Sequence, residues 1–194
     1  DICEDFESSS LTTNGWVSSS ASESNVSLSS AAISDTVSLE FTGNNFSGWG
    51  GTTESLAYSS TSHLAEATIC LDLSASTGTI NMSFDIAFAS YSSAYSWMRV
   101  KVDGVVISDI NNNTSYNNLT LTSSLSSPAS LTYDLSSYAG QPDVHITFES
   151  ACCYSNNVVT IDDVCVFAVN PCTYYSVAAV ADSNISCYGF NDGQ

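Results

Sequence analysis

Two acids stand side by side in the most strand-like stretch of the chain, VVTIDDVCVF, residues 158–167. Val158, Val159, Ile161, Val164, Val166 and Phe167 ask for a core. Asp162 and Asp163 are costly to bury unless a cation or hydrogen-bond donors answer their charge. Two more acids, Asp5 and Glu7, lie near the start in CEDFES. Carboxylates so placed hold a cation, face solvent or cap backbone N–H groups at a strand end. Side chains alternate along a strand, so Asp162 and Asp163 face opposite sides and only one joins a given site directly.

A second group lies in SWMRVKVD, residues 96–103, where Trp97, Arg99 and Lys101 share one face and Met98, Val100 and Val102 the other. As a ligand face it offers an aromatic ring for stacking on a sugar and two cations for an acidic sugar. As plain structure, Trp97 belongs to the core or its rim and the cations pair with local acids. Trp16 and Trp49 stand in turn-rich stretches and read as core plugs. His63 and His145 are isolated in the sequence, and no G-x-S-x-G elbow accompanies the many serines. Paired acids also serve glycoside hydrolysis, but acids inside a strand near a second acid cluster suit a metal better. The chain reads as non-enzymatic.

These groups sit on a weakly charged framework. Charged residues make up 11% of 194, against about 25% in ordinary domains. Two Lys plus Arg face 20 Asp plus Glu, a net charge of −18. The basic footprint that nucleic-acid binding needs is missing, and anionic membranes are disfavoured for the same reason. No apolar run approaches the roughly 18 residues of a membrane span. Seven cysteines without a C-x-x-C pair read as disulfides, hence an oxidising, extracellular compartment, with one cysteine left over. The opening DICEDFES reads as a mature or excised product.

Helical periodicity is almost absent, whereas β-branched and aromatic runs recur. Strands are expected at 36–41, 66–73, 78–88, 96–107, 129–135, 143–150 and 157–169, with Asp103-Gly104 as a type I′ hairpin turn. The Asn- and Gly-rich segments 111–118 and 42–51 are turn chemistry. This spacing predicts an all-β, antiparallel sandwich. Composition shifts at Asn170-Pro171-Cys172, and the remaining residues are too few to form a domain.

Several pieces, in order, resemble a known family: DFES (5–8) before GW (15–16), ICLDLS (69–74) before INMSFDIAF (80–88), VKVDG (100–104), YDLSSYAGQPDVHITFES (133–150) and VTIDDVCV (159–166). They are similar to the MAM-like jelly-roll modules of secreted and cell-surface proteins of Bacteroidota, over residues 3–169. The tail SNISCYGFNDGQ resembles the first strand of the repeat of gliding adhesins of the SprB type. The resemblance implies a jelly roll over 1–169 and, over 170–194, a linker and the first strands of an Ig-like adhesin repeat. First and last strands then lie together, with Asp5 and Glu7 near Asp162 and Asp163. Related sandwiches hold a structural Ca2+ between an acid of the first strand and one of the last, which points to Glu7 with Asp162.

The same neighbourhood pairs Cys3 with Cys165. Cys70 is expected to reach Cys152 or Cys153, the other of these pairing with Cys172, and Cys187 to find no partner within 1–172. The tail is expected to become ordered only on contacts outside the jelly roll. Asp35-Thr36-Val37 is similar to the O-glycosylation triplet of Bacteroidota. The function implied is a calcium-stabilised adhesion module of a surface protein or filament. Its partner is a glycan, another surface protein or copies of itself. The alternatives are a carbohydrate-binding module of a secreted polysaccharide-degrading enzyme and a filament subunit exchanging its C-terminal strand.

Overall fold

The alternating segments become pleated strands because one face of each can be buried while the other meets solvent or a covering loop. The computed structural model describes residues 2–8, 10–43, 63–89, 96–152, 157–169 and 188–189. Their strands are β1 (Ile2–Glu4), β2 (Trp16–Ser20), β3 (Ser24–Ser29), β4 (Ser38–Gly43), β5 (Leu64–Asp72), β6 (Thr79–Ala89) and β7 (Ser96–Val102). Then follow β8 (Val105–Val106), β9 (Tyr116–Asn117), β10 (Ala129–Asp134), β11 (Val144–Cys152), β12 (Val158–Val169) and β13 (Tyr188–Gly189). One sheet runs β10-β6-β12-β4-β3, with β1 also on β12. The other runs β13-β5-β11-β7-β8, with β2 also on β5 and β9 also on β7. The two form an antiparallel sandwich, the predicted class.

The seven expected strands are all present. Asp103 and Gly104 are both left-handed (φ 49° and 77°) at the β7–β8 turn, as a type I′ hairpin requires. The strands absent from the sequence reading are short or serine-rich, such as WVSSS and SNVSLS. Little in those side chains marks a strand; cross-strand pairing with β5 and β4 defines them.

A ladder of aromatic rings crosses the core. Phe6 meets Trp16 at 5.4 Å, Trp16 stacks on Phe148 at 5.8 Å, Phe148 meets Phe84 edge-on at 4.9 Å, and Phe84 stacks on Tyr133 at 5.8 Å. Each such pair adds about 0.5–1.5 kcal/mol beyond area burial. Trp16 is the expected core plug; Trp49 lies outside the described residues.

The double acid marks a β-bulge. Along β12 the core-facing residues are Val159 and Ile161, then Val164 and Val166, so the inward parity changes from odd to even. The register against β6 shifts between Asp162 and Cys165. Asp163 takes up the extra residue at φ 50°, a left-handed conformation that Asp tolerates better than most residues. One Asp therefore makes the bulge, while the other is left fully buried.

Cys3 and Cys165 lie opposite one another on β1 and β12 and are bonded, as expected. The expected pairing of Cys152 is corrected. Its thiol is free and buried in the core, and burial pushes it up to about 12. Cys70 is disulfide-bonded, but it sits opposite His145, whereas Cys152 sits opposite Ser96 at the far end of β11. Seven residues of strand separate the two sites, roughly 20 Å. The two cysteines also face opposite sides of the sheet, since Ile69 and Leu71 take the core side of β5. The partner of Cys70, and Cys153 and Cys172, lie outside the described residues.

The tail differs from expectation where it is described. Tyr188–Gly189 pairs in parallel with Leu71–Asp72 of β5, just past the stretch that β2 covers. Backbone groups on that edge need partners, and this segment supplies them.

Candidate functional site

Three places on this framework gather polar chemistry. The first joins the segment after β1 to β12 through residues 34–38. Asp162 is 0% exposed. Its Oδ2 accepts hydrogen bonds from Ser34 N (3.0 Å), Ser34 Oγ (3.2 Å) and Ser38 Oγ (2.6 Å), and its Oδ1 from Asp163 N (3.0 Å). Glu7 reaches the same segment: its Oε1 accepts from Thr36 N (2.8 Å) and Val37 N (2.7 Å), and its Oε2 from the Thr36 hydroxyl. The Thr36 hydroxyl and then its N–H hold the Glu7 carboxyl below its ordinary range. Thr36 belongs to the Asp35-Thr36-Val37 triplet, and an O-linked sugar there would remove this donor. Asp5 accepts from Glu7 N at 3.1 Å in an exposed turn, and Asp163 is exposed. Among the described residues no three His, Cys, Asp or Glu side chains group where they could hold a metal ion.

The second place is the face of β7 that carries Trp97, Arg99 and Lys101. The structure brings the three together, around Glu149 of β11. Glu149 is 1% exposed and bonded by both Arg99 and Lys101; Lys101 also meets Glu66 at 3.0 Å. The Arg99 guanidinium lies 5.2 Å from the Trp97 ring centroid. Burial works against the Glu149 charge, but the bonds from Lys101 and Arg99 outweigh it and hold the carboxyl below its usual range. Burial likewise works against the Lys101 charge, and Glu149 with Glu66 outweighs it and raises the ammonium. Trp97 is 0% exposed, packed with Ala151 and Leu64. A fully buried ring leaves no face for a sugar. Of the two readings of SWMRVKVD, this geometry matches the structural one. His145, exposed, lies 3.6 Å from Asp103.

The third place is open to solvent. A cavity of about 570 Å³ lies between the segment after β8 and the turn after β10, lined by Ile107, Ser108, Asp109, Asn112, Asp134 and Tyr138 among others. Hydrogen bonds hold the segment in place. Asp109 accepts from Asn111 N (2.9 Å), Asn113 N (2.8 Å) and the Tyr116 hydroxyl, and Ile110 N donates to Thr132 O of β10 (2.9 Å). Burial opposes the Asp109 charge, yet the bonds from Tyr116, Asn113 and Asn111 hold the carboxyl low. Burial and Asp109 push the Tyr116 hydroxyl up to about 12. The Ser136 hydroxyl and N–H lower Asp134. The cavity therefore presents the exposed Asp134 carboxylate, hydroxyls and an amide beside the Tyr138 ring and apolar Val106 and Ile107. As sequence, NNNTSYNN reads only as a turn; its density of Asn and Ser beside Asp109 is the signal that it carries.

No family model and no curated protein matches this chain. Solved structures do match. The K3 cleaved adhesin domain of Lys-gingipain from Porphyromonas gingivalis superposes with a TM-score of 0.51 at 14% identity, over 86% of this chain and 97% of its own. The CBM22-1–GH10 modules of Clostridium thermocellum endo-1,4-β-D-xylanase 10B, complexed with xylohexaose, give 0.50 at 13% identity, over 93% of this chain and 30% of that one. The shared property is the fold. It is a β-sandwich of the kind used by adhesin domains and carbohydrate-binding modules. No helix among the described residues is long and apolar enough to cross a membrane.

Proposed function

We propose that this chain is a non-enzymatic extracellular adhesion module that binds an uncharged glycan in the cavity beside Tyr138 and Asp134. The cavity carries the reading. Its 570 Å³ falls within the size of ordinary ligand sites, and its rim combines an aromatic ring with acceptors for sugar hydroxyls. Ionised Asp134 and a net charge of −18 disfavour uronic acids or sulfated sugars. The two cations that could attract such sugars are bound to Glu149. The disulfide between Cys3 and Cys165 supports an oxidising compartment. Within this reading, residues 1–169 form the MAM-like module and 170–194 lead into an adhesin repeat of the SprB type, with Tyr188–Gly189 adding to the sandwich edge.

Calorimetric titration with neutral and uronate oligosaccharides tests the site. Neutral ligands should bind, and Tyr138→Ala or Asp134→Asn should weaken them about tenfold, roughly 1.4 kcal/mol. Binding that both variants leave intact, or binding of uronates alone, sinks the assignment.

A further inference from the structure

The family resemblance implies a calcium ion between Glu7 and Asp162. Such an ion needs six to eight oxygen lone pairs directed at it, about 2.3–2.6 Å away. The two carboxylates point theirs at hydrogens. Ser34 N, Ser34 Oγ, Ser38 Oγ and Asp163 N donate to Asp162; Thr36 N, Thr36 Oγ1 and Val37 N donate to Glu7. All but Asp163 N come from one five-residue segment, 34–38. Asp35, left-handed at φ 48°, stands between the residue that turns toward Asp162 and those that turn toward Glu7. Ile33 N donates to Ser38 Oγ at 3.0 Å and closes the turn. N–H and O–H dipoles aimed at a carboxylate present positive ends where the cation would sit, so the residues as arranged do not fit Ca2+.

We infer that residues 34–38 are the resident ligand of these two carboxylates, a peptide clasp in place of an ion, so the sandwich keeps its fold without a divalent cation. The clasp ties the segment after β1, the bulge of β12 and the entry to β4 into one hydrogen-bonded unit. Two acids 155 positions apart in the sequence thereby share a single turn.

Thermal melts of the full chain, refolded from denaturant in EDTA with its disulfides intact, test this. The melting temperature in EDTA and in about 5 mM calcium chloride should agree within about 1 °C, because the clasp already occupies the carboxylates that a cation would use. Thr36→Val and Ser38→Ala should each lower it by about 2–4 °C, equally in both media. A larger rise in calcium overturns the inference. Its loss in Glu7→Gln would then place the ion at this pair. A melting temperature unmoved by both clasp variants overturns it as well, since the turn would then contribute nothing.

Discussion

Asp162 and Glu149 are both buried acids on central strands, one in each sheet, and their carboxyl groups are answered by different partners. Glu149 is answered by cations: Arg99 and Lys101 converge on it, and Glu66 balances the surplus. Asp162 is answered by neutral dipoles, two N–H groups and two hydroxyls. A chain with only two basic residues has spent both on one carboxylate. Among the described residues, Asp162, Glu7 and Asp109 are answered instead by hydroxyls and amide N–H groups. The difference teaches where the fold is sensitive. A charge-balanced site fails when one charge goes missing, whereas a dipole-balanced site loses stability one bond at a time.

The largest expected effect lies at the charge-balanced site. Lys101→Met should destabilise the fold by about 3 kcal/mol, because Glu149 is left buried with Arg99 alone. Adding Glu149→Gln should restore part of that loss, since it removes the surplus negative charge that Lys101→Met leaves among Glu149, Glu66 and Arg99. Denaturant melts of the single and double variants decide it, and a double variant less stable than Lys101→Met would break the comparison.

A smaller effect belongs to the other site. Ser38→Ala removes one of four donors to Asp162, and the loss should be about 1–2 kcal/mol. The same denaturant melts measure it; a loss as large as that of Lys101→Met would mean the two sites fail alike.

The smallest effect is in pH dependence. Glu149 has its folded pKa held below its ordinary 4.5, so its contribution is present above that value and is lost as pH falls through the lowered one. Lys101 is raised above its ordinary 10.5, so its contribution is present below 10.5 and is lost as pH rises through the raised value. Glu149→Gln should flatten the acid limb of melting temperature against pH between about 2 and 5. An acid limb unchanged by Glu149→Gln would show that the cations do not hold this carboxylate low.

Much of the architecture is legible in local pattern. EATICLDL and GTINMSFDIAF alternate at the strand period, and Asp103-Gly104 can adopt the paired left-handed turn a hairpin needs; both follow from backbone and side-chain sterics within a few residues. β2 is not legible, because WVSSS holds one residue that demands burial, and Trp16 finds it only against Phe6 and Phe148. The cavity is equally hidden, since it joins the segment after β8 to the turn after β10, and neither stretch encloses it alone.

The double acid shows where the boundary lies. Local sequence determined that residues 158–167 form a strand and that Asp162 and Asp163 cannot both be treated as core. It also carried the change of parity from Val159 and Ile161 to Val164 and Val166, which demands an extra residue between them. Only the tertiary structure decided what answers Asp162, because its donors Ser34 and Ser38 lie 128 and 124 residues away. A carboxylate accepts a cation, a hydroxyl or an amide N–H with the same lone pairs, so its residue type does not choose among them. The partner that folding brings within 3 Å does.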